Sequence, residues 1–425
     1  MFHFLKRLKF QQIVDGLWAF VSLLGPSILQ LLYTIVAARA LDPSDFGYLT
    51  LCVSVGTIMM ALSGFGAGGL VLRQTARQPE RANEFLGRSI AWTALSAPVV
   101  GGASIAIMLL VSPTPLPIWL AFCIGFSELI SWRIAMNCQQ VFIALGQQFR
   151  VAIVGMLIPF GRLVAATIIT SISHKTLMAF AIAYLLSTFA SALAALWFTV
   201  RRTGWLKFHL RPFDALGGAS FALTSFNAAI QVESDKLILA FFATPADVGV
   251  YAVAARLMDG LYAPTRALKQ TLQARMHKAG ADGSSAVIKI VFEIVPLILL
   301  LGLAAWIGVV LTTPIVLWVF GPKYAALGHI LALIAALPLI RSFVEIGSEL
   351  FLASDRSGFQ TVMQLSATVF RILISIVLIS LFKLDGAVAA ALLSAGTVAA
   401  IYWATAWISL RRHNGLRATA VKEKT

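Results

Sequence analysis

A chain of 425 residues that is 59% hydrophobic and only 12% charged, with a mean hydropathy of +0.87, is not a soluble domain, in which about a quarter of residues carry charge. Three cysteines with no CxxC spacing and six scattered histidines give neither a disulfide framework nor a metal site any support. The net charge of +15 would suit nucleic acid, but its placement along the chain points to a membrane surface instead.

A membrane-spanning helix takes about 20 apolar residues. The first such run, from about Leu17 to Ala38, has no small-residue cleavage site after it and reads as a signal anchor. Twelve runs follow one another along the chain, over 14–40, 46–70, 88–111, 117–143, 150–172, 177–200, 215–242, 247–268, 286–312, 325–351, 359–381 and 385–409. Between the first two stands "DPSDFGYL" (42–49). Asp42 is placed to cap the second span, Pro43 suits the first helical position, and Asp45 falls at the third. "TPADVGVY" (244–251) repeats that grammar at the eighth span, where Thr244 and Asp247 make a near capping box.

The loops orient the spans. With the N-terminus inside, inner segments carry clusters such as Arg73, Arg77, Arg81 and Arg88, then Arg201, Arg202, Lys207 and Arg211. Outer segments hold only Arg39, Lys175, Lys323 and Lys383. This bias predicts an even number of spans with both termini cytoplasmic. Outer loops such as "SPTPLP" (112–117) are too short for an extramembrane domain, so function is expected inside the helix bundle or at its mouths.

The chain is also written twice. An offset of 202 places Pro43, Asp45 and Gly47 on Pro245, Asp247 and Gly249, Gly16 on Gly218, and Arg73 on Arg275. Further along, an offset of 209 places Phe142, Ala144 and Arg162 on Phe351, Ala353 and Arg371. "WFTVRR" (197–202) and "WISLRR" (407–412) close the two halves. A repeat of six spans preserves direction across the membrane, so these are parallel repeats. The expected fold is an all-α polytopic membrane protein of about twelve transmembrane helices. Its expected domains are a six-helix lobe over 1–202, a cytoplasmic interfacial linker over 203–214, and a six-helix lobe with a basic tail over 215–425. In the linker, Trp205, Phe208 and Leu210 interleave with Lys207 and Arg211, which suits either the membrane interface or ordinary helix packing.

The segments "ARALDPSDFGYL" (37–48), "GFGAGGLVLRQTAR" (64–77), "SDKLILAFFATPADVGVYAVAARL" (234–257) and "LWVFGPKYA" (317–325) resemble the polysaccharide transporter family. That family contains O-antigen and exopolysaccharide-repeat flippases and lies within the multidrug/oligosaccharidyl-lipid/polysaccharide (MOP) exporter superfamily. The resemblance runs nearly end to end. It implies two six-helix lobes around a central cavity, in a bacterial inner-membrane protein. It implies alternating access that moves an undecaprenyl-diphosphate-linked oligosaccharide from the cytoplasmic to the outer leaflet. Polymerase and glycosyltransferases of the same pathway are the implied partners, beside membrane lipids; nucleic acid is not.

A charge at mid-bilayer costs at least about 2.5–3.5 kcal/mol on insertion scales, so charges within spans face a cavity or a partner. The basic ones are Arg133, Arg162, Lys236, Arg256, Arg266, Arg341 and Arg371; the acids are Glu128, Glu233, Asp235, Asp259, Glu293, Glu345 and Glu349. Spacing allows Glu233 to pair with Lys236, Arg256 with Asp259, and Arg341 with Glu345 along single helices. Arg162 and Arg371 have no acid within four residues and occupy matching positions near mid-span in the two repeats. An arginine fork suits a diphosphate, which makes Arg162 and Arg371, then Arg133 and Arg256, the candidates for binding it. The alternative is a partner acid on another helix, Glu128 or Glu293. Amides such as Asn137 and Gln140 would suit sugar hydroxyls or serve as interhelical glue.

A cation-coupled multidrug antiporter of the same superfamily is the rival function, with Asp259, Glu128 and Glu345 as ion-coupling carboxylates. A membrane glycosyl transferase or polymerase fits less well, because the short outer loops leave no room for a catalytic loop. No cofactor is expected, and coupling to a proton or sodium gradient is left open.

Overall fold

The computed structural model describes residues 10–112, 115–172, 176–208, 215–280, 284–353 and 357–422, and these are helical with no strand among them. Residues 209–214 of the expected linker lie outside the described residues, as do the first nine residues. The helices are α1 (Phe10–Ala40), α2 (Pro43–Met60), α3 (Ala67–Arg77), α4 (Ala82–Val111), α5 (Ile118–Phe126), α6 (Arg133–Ala144), α7 (Gln148–Ser171) and α8 (Leu177–Thr203). They continue with α9 (Ala215–Phe242), α10 (Pro245–Gly280), α11 (Ser284–Phe320), α12 (Ala326–Ile334), α13 (Leu337–Ala353) and α14 (Ser357–Lys422). In hydrocarbon every backbone polar group must be satisfied within its own segment, which is why each apolar run becomes a helix. By length and composition alone, eight described helices can cross a membrane, Gly16–Ala40 and Lys289–Phe320 among them. Large apolar side chains such as Leu110, Leu311 and Trp318 face outward along them, as lipid contact requires.

Two of the expected runs, 46–70 and 117–143, change geometry within their length, and a third, 325–351, is divided between α12 and α13. The run at 46–70 is interrupted after Met60, because Gly64, Phe65 and Gly66 all take positive φ (70°, 49° and 78°). The break is held by side chains: the Gly64 amide donates to Ser96 Oγ at 2.8 Å, and Ser63 Oγ donates to the Leu129 carbonyl at 2.9 Å. The run at 117–143 contains a π-helical turn over Ser127–Trp132, between α5 and α6. Helix α14 holds two spans that fold back at Lys383, where the backbone leaves helical geometry (φ 50°, ψ −120°). The run at 247–268, by contrast, continues unbroken to Gly280.

Contacts divide the chain into two compact units. The first takes in Met1–Val253 and Val319–Tyr324. Within it α1 packs along α7, where the missing Cβ of Gly155 admits Gln139 Nε2 (2.5 Å from where that Cβ would stand) and Pro26. Helix α9 lies against α2 and α3 in the same unit. The second unit takes in Ala254–Trp318 and Ala325–Thr425. Its core joins Leu272 and Met276 of α10 to Val287, Val291 and Ile298 of α11, Phe351 of α13 and Tyr402 of α14.

Candidate functional site

The π-turn is the centre of the first unit's polar chemistry. An i→i+5 turn widens the helix and re-aims the side chains that follow it, and such turns recur at functional positions. Here it presents Glu128, whose Cβ and Cγ lie where a Cβ on Gly56 would stand (2.9 and 2.8 Å away). Glu128 Oε1 accepts from Arg162 Nη2 at 2.8 Å and from the Tyr184 hydroxyl at 2.5 Å. Arg162 Nε donates to Thr188 Oγ1 at 2.9 Å. The guanidinium lies 3.7 Å from the ring centroid of Tyr184 and 4.4 Å from that of Trp132. Arg162 is 1% exposed and Glu128 2%. This is a closed charge pair on α7 and the π-turn, the cross-helix arrangement that the sequence allowed as the alternative to a diphosphate ligand.

One turn further on, Arg133 opens α6 under different conditions. It is 8% exposed, its Nε is buried with no hydrogen-bond partner, and it makes no ion pair among the described residues. Asn137, fully buried one turn later, donates through Nδ2 to Ser89 Oγ at 3.2 Å and leaves Oδ1 unsatisfied. Gln140 Oε1 on the same helix is also buried and unsatisfied. On α3, Gly68 faces this group: a Cβ there would stand 2.9 Å from Asn137 Oδ1 and 3.4 Å from Arg133 Nη2. Buried polar groups are ordinarily hydrogen-bonded, and buried charges are paired. A cation donor and two amide acceptors on α6 therefore stand with unsatisfied polar atoms among the described residues, the first two of them beside Gly68.

In the second unit the expected local pairs do not form. Arg341 donates not to Glu345, four residues on, but to Asp259 of α10 at 2.8 Å. Asp259 thereby loses Arg256 as its partner; Arg256 is half-buried, and Arg266 packs instead over the Tyr262 ring, 5.6 Å from its centroid. Glu345 accepts from Lys269 Nζ at 2.5 Å, and the same ammonium lies 3.5 Å from Glu349. Arg371 is half-buried on α14 and is not an unpartnered cation. The one local pair that holds, Glu233–Lys236 at 2.5 Å, lies in the first unit, where Ser54 Oγ donates to the same carboxylate at 2.6 Å. Among the described residues no group of His, Cys, Asp and Glu could hold a metal ion.

The non-basic ends of α2 and α10 complete the polar inventory. Thr244 and Asp247 form the reciprocal capping box: Thr244 Oγ1 accepts from the Asp247 amide at 3.2 Å, and Asp247 Oδ2 accepts from the Thr244 amide at 3.0 Å. Asp42 stands at the N-cap of α2 but makes no side-chain cap bond, contrary to the sequence expectation. Its carboxylate accepts from Lys323 Nζ at 2.6 Å instead. Beside it Tyr324 is fully buried, and burial with the neighbouring Asp42 charge pushes its phenol far above the usual range.

Comparison with known proteins agrees with this architecture. No curated protein matches the sequence. Similar solved structures include an inward-facing multidrug-resistance MATE transporter of the MOP superfamily, at 16% identity and a TM-score of 0.74, covering 93% of this chain and 98% of that one. A MATE P26A mutant matches at 14% identity and a TM-score of 0.65 (94% and 96% covered). A MOP-superfamily transporter from Pyrococcus furiosus, described as having a binding pocket of reverse polarity, matches at 13% identity and a TM-score of 0.61 (93% and 95% covered). At such identities the likeness establishes the fold. The profile of the family described as "Polysaccharide biosynthesis protein" matches residues 36–325, and the chain belongs to that family, with the fold of MOP-superfamily transporters.

Proposed function

We propose that this protein is a flippase, which moves a polyprenyl-diphosphate-linked oligosaccharide from the cytoplasmic to the outer leaflet by alternating access. The observation that carries this reading is the buried, unpaired guanidinium of Arg133, set beside the unsatisfied acceptors of Asn137 and Gln140. A largely buried guanidinium that makes no ion pair among the described residues is suited to an anion, and phosphate oxygens match its fork. The two amide oxygens ask for donors, which sugar hydroxyls supply. Family membership places the chain in polysaccharide synthesis, and the fold is one that MOP-superfamily transporters share. In this reading the basic loops face the cytoplasm, both termini are cytoplasmic, and the membrane is the bacterial inner membrane.

Arg162 has a different role here. Already paired with Glu128 and Tyr184, it braces the π-turn that presents Arg133, and Glu128 is not available to bind a coupling ion. Ion coupling, where it operates, falls to the second unit's carboxylates, Glu345 with Lys269 and Asp259 with Arg341. A multidrug antiporter handling cations would need an available buried acid; Glu128 is taken up by Arg162 and Tyr184, whereas Arg133 makes no ion pair among the described residues. The reading involves no enzymatic step and no cofactor; polymerase and glycosyltransferases are its expected pathway partners.

The test is binding of undecaprenyl diphosphate to the purified chain in nanodiscs, read as thermal stabilisation. The parent chain is expected to be stabilised and Arg133→Met is not. Equal stabilisation of both would exclude Arg133 as the ligand, and stabilisation by lipophilic cations alone would favour the antiporter.

A further inference from the structure

Two irregular turns of the first unit hold each other in shape. The run at 46–70 breaks after Met60 at residues of positive φ, and the run at 117–143 widens into the π-turn over Ser127–Trp132. Ser63, in the first, is fully buried, and its hydroxyl donates to the Leu129 carbonyl inside the second at 2.9 Å. Gly56, earlier on α2, leaves the space that the Glu128 side chain of the π-turn fills. The Gly64 amide, next to Ser63, donates to Ser96 Oγ of α4 at 2.8 Å.

Helix α4 carries a ladder of buried hydroxyls at Ser89, Thr93 and Ser96, spaced so that they share one face. Ser96 Oγ donates to the Thr93 carbonyl at 3.1 Å, and Thr93 Oγ1 to the Ser89 carbonyl at 2.8 Å. Thr93 Oγ1 also lies 2.9 Å from where a Cβ on Gly64 would stand. One end of the ladder therefore holds the Gly64 amide. At the other end Ser89 Oγ accepts from Asn137 Nδ2 at 3.2 Å. The break in the second run and the Asn137 amide of α6 are thus referred to one helix.

We infer that Ser63 is a positioning residue: its hydroxyl fixes the π-turn, and with it the direction in which Arg133 and Asn137 leave α6 toward Gly68. The inference rests on the binding role proposed above for Arg133, and three observations separate it from ordinary packing. Hydroxyls on helices commonly return to a carbonyl four residues back on their own helix, as those of Thr34, Ser127, Thr188 and Thr199 do here. The Ser63 hydroxyl crosses instead to the backbone of a segment 66 residues on. The carbonyl it reaches lies inside a π-turn, and relaxation of that turn to α-helical geometry would rotate the side chains beyond it by about 100°, one residue's share of a helical turn. Gly68 follows shortly after Ser63, and Arg133 shortly after Leu129, so the groups that face each other stand directly beyond the two linked turns.

The test uses the full chain in phospholipid nanodiscs. With Cys52, Cys123 and Cys138 replaced by alanine, Gly68→Cys and Asn137→Cys are expected to form a disulfide between α3 and α6 under mild oxidation, which reads the geometry whatever the cargo. Ser63→Ala is expected to slow that cross-linking several-fold, and Ser63→Thr, which keeps the hydroxyl, to leave it near the parent rate. In the chain with its native cysteines and Asn137, Ser63→Ala is expected to weaken undecaprenyl diphosphate binding several-fold, with ligand-free melting within a few degrees of the parent. A folded Ser63→Ala chain that cross-links at the parent rate overturns the inference, as does equal slowing by alanine and threonine or a parent pair that fails to cross-link. If Ser63→Ala does not fold, Ser96→Ala, which removes the acceptor of the Gly64 amide, is read by the same two assays and decides in the same way. Slowed cross-linking with unweakened binding cuts the link from Ser63 to the substrate and overturns the positioning role. A parent that does not bind undecaprenyl diphosphate, with cross-linking still slowed by Ser63→Ala, removes the transport reading and leaves the placement of α6 by Ser63 standing.

Discussion

Arg162 Nη2 donates to Glu128 Oε1 at 2.8 Å, with both side chains almost wholly buried. Removing one partner of such a pair leaves an uncompensated buried charge, which costs about 3–5 kcal/mol. Glu128→Ala should therefore lower the melting temperature in detergent steeply, and Arg162→Met likewise. The double variant Glu128→Ala/Arg162→Met should recover much of the loss, because no isolated charge remains. Melting curves followed by size-exclusion fluorescence check this. Additive single losses would show that the pair is not coupled.

Arg133 predicts the opposite sign. It makes no ion pair among the described residues, so replacing it with methionine removes a buried charge without orphaning another. Arg133→Met should stabilise the chain by up to about 3 kcal/mol and abolish surface polymer in a complementation strain. Stability and function moving in opposite directions is the signature of a binding residue, and a stability loss would mean that Arg133 is structural. Arg133→Lys should keep the charge but lose the fork, giving partial activity.

Gly68→Ala probes the same surface from the facing helix. Its methyl would approach Asn137 Oδ1 to 2.9 Å and Arg133 Nη2 to 3.4 Å. The flexible Arg133 side chain can yield, whereas the Asn137 amide is held through Ser89. The change should leave melting within a few degrees of the parent and weaken undecaprenyl diphosphate stabilisation strongly. Unweakened binding would place the ligand elsewhere.

The two helix-start motifs read alike in sequence but separate on alanine substitution. Thr244→Ala removes a formed capping box at α10 and should cost about 1 kcal/mol in melting experiments. Asp42→Ala removes only an ion pair between groups 68% and 54% exposed, whose median worth is about 0–1 kcal/mol. A larger loss at Asp42 than at Thr244 would reverse this ranking.

Much of this protein can be read directly in its chain. Length of apolar runs and the basic-loop bias carry the helices, because lipid leaves the backbone no other choice. The repeat marks Pro43–Gly47 and Pro245–Gly249, since an offset needs only identity. Partner choice is the part that could not be read. Arg341 and Glu345 stand four apart on one helix, a spacing that permits contact, yet each turns to another helix, to Asp259 and Lys269. Spacing constrains neighbours on a helix and says nothing about what a facing helix offers. The π-turn at Ser127–Trp132 compounds this by shifting the face on which Arg133 emerges relative to Glu128. Asp42 fails as a cap for the same reason: Lys323 lies far off in sequence, and its amine outcompetes the local amides.

Lys269 supplies the last prediction. Its ammonium lies 2.5 Å from Glu345 and 3.5 Å from Glu349, and Glu349 is 2% exposed whereas Glu345 is 38%. Lys269→Met would leave both carboxylates without this counter-ion, and the desolvated Glu349 would suffer more because water cannot replace the ammonium there. Lys269→Met should therefore destabilise the chain by about 3 kcal/mol or more at neutral pH. Adding Glu349→Gln should restore more than half of that, whereas adding Glu345→Gln should restore little, since Glu345 can turn to solvent. The three melting curves separate the roles. Equal rescue by either glutamine would mean that the two acids share Lys269 evenly despite their different burial.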